Sequence, residues 1–381
     1  MDAMLSSPHR PMFLAAGVWA VAAVVPAGWD TGFDAARTPL QSTALWHAHE
    51  MLFGFAAAGF AGYALTAMGS WSGPRRLSSR GVPALLALWI LARLSAFGAL
   101  GDDPGLIVPA GVAFLACVTW VLSFAALRSG STRGAVQALF ALFLTGSQGA
   151  ILSGAYVPTI PVFGLGLLLS VVGGRMVAAF TWNRIERNPS QVLRFRIARL
   201  AGVPAAVALA LTLALEAVEP GWVRASASML LLAAIAETVR LSLWLSRRTV
   251  QDKLLGMLQL GYFWLPVGLA LVALARVSEP GLSESDTVHA LAAGAVACSI
   301  YAVAARAVAR RADRLRPTVV DVTGFVLLWA AAALRVFGPP DRLWDAALLI
   351  LWCAAWTLFV IRHGAALLHP TPRPVFSGPK S

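Results

Sequence analysis

Leu45-Trp46-His47-Ala48-His49-Glu50-Met51-Leu52-Phe53-Gly54-Phe55 stands at the mouth of an apolar run that continues to about Met68. Apart from Glu50 the run carries no full charge. It is long enough to cross a bilayer, which takes about 20 residues of helix. An ionisable cluster at the end of a membrane helix is costly unless it pairs, faces water or binds something. Imidazole is also the commonest metal-binding side chain. Two readings fit this stretch: a metal or haem site at a membrane surface, or polar residues that end a helix at the interface.

The rest of the chain agrees that this run is a membrane span. Of 381 residues, 58% are hydrophobic and 13% are charged, and the mean hydropathy is +0.72. A soluble domain carries about twice that share of charge. The net charge of +12 would suggest nucleic acid in a soluble chain. Here the arginines fall in short loops between apolar runs, where they set orientation, so the expected surroundings are a lipid bilayer and no nucleic acid. Cys117, Cys298 and Cys353 each lie inside an apolar run, and no CxxC or CxxCH motif occurs. That argues against covalent c-type haem attachment and against a disulfide framework. No Walker loop and no HExxH occurs, so nothing points to nucleotide or protease chemistry. The first apolar run, from near Met12, reads as a retained span and not as a cleaved signal peptide.

Twelve apolar segments of roughly spanning length follow one another, near 12–29, 47–68, 82–100, 105–127, 135–157, 160–181, 200–217, 222–246, 254–275, 288–309, 318–337 and 344–362. Loops on one side carry acids, such as Asp102 with Asp103 and Glu284 with Asp286. Loops on the other carry arginines, such as Arg128 with Arg133 and Arg310 with Arg311. Basic loops stay in the cytoplasm. The expected fold is all-α: a polytopic integral membrane protein of about twelve transmembrane helices, with both termini cytoplasmic. It forms a single transmembrane domain over residues 1–381, with the longest soluble loop at about 182–199 and a proline-rich, disordered tail at 370–381. No matching pair of broken helices appears in two halves, the pattern that would point to a transporter.

This orientation puts His47, His49 and His289 at one depth, at the outer ends of the second and tenth spans. His9, His363 and His369 fall at the other side, as solvated positions. Residues two apart on a helix point about 200° apart, so His47 and His49 cannot both face one metal from a regular helix. His47 shares its face with Glu50, Gly54, Ala58 and Gly62, a small-residue stripe that admits either a packed helix or a flat macrocycle. That geometry predicts His47 and His289 as iron ligands and His49 as a neighbour that tunes the site. If the helix begins only after His49, the two exchange roles. Five charges lie inside spans: Arg93, Arg175, Glu237, Arg240 and Arg335. Arg93 and Arg335 sit near the level of the histidines, within reach of Glu50 or of haem propionates, or snorkel to the interface. Glu237 and Arg240, three apart, share a face and neutralise each other. Arg175 lies beside Gly173 and Gly174, which open space for a partner. Tyr262 and Trp264 bring polar tips into the ninth span, beside the kink expected at Pro266.

These residues carry a resemblance. Trp46-His47-Ala48-His49-Glu50-Met51-Leu52-Phe53-Gly54-Phe55, followed by Gly62-Tyr63-Ala64-Leu65-Thr66-Ala67 and Ser70-Trp71-Ser72-Gly73, resembles the opening signature of the NnrS family. Gly174-Arg175-Met176, Leu260-Gly261-Tyr262-Phe263-Trp264-Leu265-Pro266 and His289-Ala290-Leu291 with Gly294-Ala295 resemble its later motifs, in order. The resemblance implies a multi-pass protein of the bacterial inner membrane that binds haem b and copper and acts in the nitric oxide response, often alongside denitrification. On it, His47, His49 and His289 are the metal and cofactor ligands, and Glu50, Arg93 and Arg175 support them. Its partners are then haem and nitric oxide or a related small molecule.

The sequence departs from the family at Gln259, where a histidine is usual, and at Arg306-Ala307-Val308-Ala309-Arg310-Arg311, where a further histidine is missing. Fewer histidines weigh most against the copper site. Whether the chain is an enzyme is left open, as are two readings from other classes: a twelve-span secondary transporter, and an assembly partner of respiratory enzymes. The arrangement also has the span number and histidine depth of haem-copper oxidases, an analogy of architecture alone.

Overall fold

A bilayer offers no water to backbone N–H and C=O groups, so spans must satisfy them internally as helices. The computed structural model describes residues 5, 7–28, 32–73, 77, 80–155, 159–185, 188–219, 221–246, 249, 251–278, 282–308, 310–311, 314–315, 317–339 and 341–368. Its apolar helices are α1 His9–Gly28, α2 Thr43–Ser70, α3 Gly81–Ala96, α4 Pro104–Ser129, α5 Thr132–Leu152, α6 Thr159–Trp182, α7 Pro189–Val218, α8 Val223–Trp244, α9 Lys253–Val277, α10 Glu284–Ala307, α11 Val319–Phe337 and α12 Arg342–Gly364. Among the described residues, eleven are long and apolar enough to cross a membrane; α3, with 16 residues, is the shorter one. The protein is thus an all-α, polytopic membrane protein. Arg310–Arg311 pairs antiparallel with Arg314–Leu315 between α10 and α11.

Local chemistry explains the boundaries. Ser42 accepts from the Leu45 amide at 3.0 Å and starts α2. Asp103 before Pro104 and Asn188 before Pro189 start α4 and α7 in the same way, with proline at the first position, where no amide donor is needed. Gly130 adopts φ +63°, which ends α4 and lets α5 begin two residues later. One sequence expectation changes here. The segment 182–199 is not a loop throughout, because the Asn188–Pro189 cap starts α7 early and Arg194, Arg196 and Arg199 lie on its first turns. His369, Arg75, Arg76, Arg187, Arg247, Arg248, Arg316 and the tail 370–381 lie outside the described residues.

The chain divides into two compact units. The first comprises Met1–Pro161, Val303–Gly324 and Trp352–Ser381. In it α1 packs along α2, α3 on α4 and α4 on α5. The Trp352 indole donates to the Ala20 carbonyl at 2.7 Å and ties α12 to α1. Most of α2 is enclosed: 83% of its central window is buried, against 22% for α7. His9 and His363 are not solvated, as their sequence positions suggested, since each is 2% exposed. α12 continues past the expected end at residue 362, so His363 turns inward against Asp321 at 3.2 Å.

The second unit comprises Val162–Ala302 and Phe325–Leu351. In it α7 packs on α8, α8 on α9 and α9 on α10. A Cβ added at Gly294 would lie 2.6 Å from the Trp264 ring, so glycine there is what lets α10 close on α9. That close approach, and not a polar role for its indole nitrogen, accounts for Trp264, which is 1% exposed.

Candidate functional site

Among the described residues, three helices contain π-helical segments: Glu50–Ala56 in α2, Leu169–Gly173 in α6 and Ala290–Ala297 in α10. A π turn displaces a carbonyl from the regular ladder, and such turns recur at functional sites. Each of these segments has a carbonyl that accepts from a side chain. Gly54 accepts from the Trp89 indole at 2.9 Å, Ser170 from Arg240 Nη1 at 3.0 Å, and Ala293 from Cys298 Sγ at 3.8 Å. Two of the segments open directly after His49 and His289.

In the first unit the α2 segment builds a buried charge cluster. Glu50 is fully buried; its Oε1 takes the Nδ1 hydrogen of His49 at 2.8 Å, and its Oε2 takes Arg93 Nη1 at 2.8 Å. His49 is also fully buried, and its Nε2 lies 3.4 Å from the Gln148 amide nitrogen on α5. An amide NH2 only donates, so Nε2 is the base nitrogen of this imidazole. The Arg93 guanidinium sits 5.9 Å from the Trp19 ring and 5.8 Å from the Trp89 ring. Its Nε and Nη2 are buried with no hydrogen-bond partner. Room for it comes from Gly54, where a Cβ would lie 2.5 Å from Arg93 Nη1.

This arrangement reassigns the small-residue stripe. Protein fills the face that His47 was expected to offer to a macrocycle: Trp19 and Arg93 cover Gly54, and Met12 and Phe13 cover Gly62. His47 itself is half-buried. Arg93 does pair with Glu50, one of the two partners foreseen for it. Gln148, Trp19 and Trp89 were missed; the one signal for Gln148 was an amide inside an apolar run.

In the second unit, Glu237 and Arg240 on α8 do pair, at 2.8 Å, but not alone. Ser170 and Tyr262 each donate to the Glu237 carboxylate at 2.5 Å, and Arg240 lies 5.0 Å from the Trp244 ring. A Cβ at Gly174 would collide with the Arg240 guanidinium, and one at Gly202 would lie 3.0 Å from it. The space beside Arg175 therefore belongs to Arg240, while Arg175 is exposed. Tyr262 owes its polar tip to this cluster and not to packing around Pro266. Gln259 is 2% exposed and donates to Thr181 at 3.3 Å.

His289 also lies in the second unit. Its Nδ1 is 2.6 Å from the Ser285 carbonyl, which only accepts, so Nδ1 carries a hydrogen. Arg335, which the sequence offered to Glu50 or to a propionate, pairs instead with Asp286 at 2.5 Å. A groove of about 770 Å³ in this unit, lined by Trp329, Phe337, Trp344 and other apolar side chains, holds no ionisable group. Among the described residues, no group of three or more His, Cys, Asp or Glu side chains is placed to hold a metal ion.

Fold and site define a polytopic helical membrane protein with ionisable clusters buried inside its spans. Within that class, a family model described as "NnrS protein" matches residues 3–371, and the chain belongs to the NnrS family. Membership makes it, in general terms, a membrane protein of the nitric oxide response. Comparison with curated proteins and with solved structures gives no match.

Proposed function

We propose that the protein binds haem b in the bacterial inner membrane and acts there on or through nitric oxide, with His49 in the first unit and His289 in the second as imidazole donors. The observation that carries this is the shared state of the two rings. Each commits Nδ1 to an acceptor, Glu50 or the Ser285 carbonyl, as a ring that offers Nε2 to a metal does. Metal-bound histidines almost always have the other ring nitrogen held by a carboxylate or carbonyl, which fixes the tautomer and raises basicity. Arg93 adds two buried donors without partners, and a guanidinium fork suits a carboxylate such as a haem propionate. When bound, haem would supply an iron able to take nitric oxide. Copper is not part of the proposal, since among the described residues no three donors converge.

His47 stays in the test as the competing donor on α2. The alternating loop charges support both termini in the cytoplasm, and on that reading His47, His49 and His289 lie toward the periplasm. The decisive measurement is the absorption spectrum and haem content of the purified full-length protein and of its alanine variants. His49→Ala and His289→Ala are each expected to lower haem content, and His47→Ala to keep it. Loss on His47→Ala with retention on His49→Ala would move the α2 donor to His47. Parent spectra in all three variants would overturn haem ligation by these residues.

A further inference from the structure

The first turn of α10 is held on three consecutive residues. Glu284 Oε1 takes Arg276 Nη2 at 2.6 Å and Nε at 2.9 Å. The next carbonyl, that of Ser285, takes the His289 Nδ1 hydrogen at 2.6 Å. The residue after that, Asp286, takes Arg335 Nη1 at 2.5 Å. Two guanidinium groups, from the ends of α9 and α11, thus grip the residues on either side of the one carbonyl that sets the His289 tautomer.

The grips are unequal. The Arg276 side chain is 6% exposed, whereas Arg335 is 28% and Asp286 43% exposed. Arg276 is itself anchored by Glu216 at 2.5 Å and Ser226 at 2.6 Å, and its guanidinium lies 5.1 Å from the Phe163 ring. A helix start has unpaired amides and frays unless tied down. If this turn loosens, the Ser285 carbonyl moves, Nδ1 loses its fixed acceptor, and the hydrogen is free to sit on either ring nitrogen. A hydrogen on Nε2 removes the lone pair with which the imidazole binds iron.

We infer that Arg276, with Arg335 in a lesser role, is a positioning residue that holds the His289 Nδ1 hydrogen on the Ser285 carbonyl. The inference rests on the proposed haem ligation for its purpose, but not for its geometry. Nothing in the helix pattern requires it: Arg276 lies beyond the expected end of the ninth span, and Glu284 reads as an ordinary loop acid.

The test uses the full-length protein with ¹⁵N-labelled histidine rings, without haem, and His289→Gln identifies the His289 resonances. The parent is expected to show the Nδ1–H tautomer at His289. Arg276→Gln is expected to shift those resonances toward a tautomer mixture, Arg276→Lys to restore them in part, and Arg335→Gln to give a smaller shift in the same direction. In haem-loaded protein the same order is expected in haem retention, with Arg276→Gln about 10-fold weaker. If Arg276→Gln does not fold, Arg335→Gln decides, because its ion pair is more exposed and its loss is tolerated. Folded Arg276→Gln and Arg335→Gln variants with parent ring-nitrogen shifts would overturn the inference. Parent haem content in His289→Gln, with the tautomer shifts intact, would instead overturn haem ligation by His289 and leave the positioning geometry standing.

Discussion

Among the described residues, each unit holds a carboxylate–guanidinium pair around a fully buried glutamate, and the two pairs are built alike and finished differently. In the first, Glu50 meets Arg93 at 2.8 Å; in the second, Glu237 meets Arg240 at 2.8 Å. Both guanidinium groups occupy room left by a glycine, Gly54 or Gly174, and both lie near tryptophan rings. Both clusters adjoin a π-helical segment. The difference lies in what completes the carboxylate. Glu237 is closed off by two hydroxyl donors, Ser170 and Tyr262. Glu50 instead holds an imidazole, and Arg93 leaves both Nε and Nη2 without a partner where Arg240 leaves Nε. The more fully closed pair has less left to offer a ligand. An unsaturated one, in a setting where unpaired buried donors are costly, is where a ligand gains most. The first cluster is thus the binding candidate and the second a tie between helices.

The largest expected effect breaks the second pair. Arg240→Met leaves Glu237 buried without its cation, and removing one member of a buried pair costs about 3–5 kcal/mol. Thermal unfolding in detergent should show that loss, or no folded protein. The double variant Glu237→Leu/Arg240→Met should recover most of it, because neither charge is then stranded. Arg93→Met should destabilise less, since Glu50 keeps the His49 donor, yet it should lose haem. An Arg240→Met protein as stable as the parent would erase the distinction drawn between the clusters.

A smaller effect is expected at the two glycines. Gly54→Ala and Gly174→Ala each push a methyl group into a guanidinium, and overpacking of this kind costs about 1–3 kcal/mol. Unfolding temperatures should fall by similar amounts in both. Only Gly54→Ala should also change haem content, because only Arg93 stands beside a proposed ligand. A haem change on Gly174→Ala would bring the second cluster into the binding function.

The spans were legible because hydropathy is summed over some twenty residues, and sums survive local irregularity. Even the short α3 stood out as an apolar run. The π segments were not legible: one added residue per turn rotates the faces, and a face count from His47 through Gly54 to Gly62 runs straight through that rotation. On a regular helix that count makes His47, and not His49, the expected iron ligand. The Glu237–Arg240 pair was readable from its spacing within one helix. Its other partners were not, because Gly174 and Ser170 come from another helix, and only the fold brings them to Arg240. Arg276 escaped notice for a simpler reason: the expected span stopped at residue 275.

The smallest expected effect falls on Gln148, and it sharpens the comparison most. Its amide nitrogen is 3.4 Å from His49 Nε2, the long end of hydrogen-bond range. So long a bond stabilises little, and Gln148→Leu should change stability by about 1 kcal/mol or less. The consequence for binding depends on what Gln148 is doing. If His49 is a ligand, iron and the Gln148 amide compete for the same lone pair, and removing the amide should leave haem content equal to the parent or higher. If instead the amide fixes a ring that never meets a metal, Gln148→Leu frees His49 without benefit to binding. Haem titration of the variant beside His49→Ala separates the two. A fall in haem content on Gln148→Leu that matches the fall on His49→Ala would make Gln148 and His49 parts of one supporting hydrogen-bond chain. The first cluster would then be a scaffold like the second, finished with an imidazole where the other uses hydroxyls, and the donor on α2 would have to be His47.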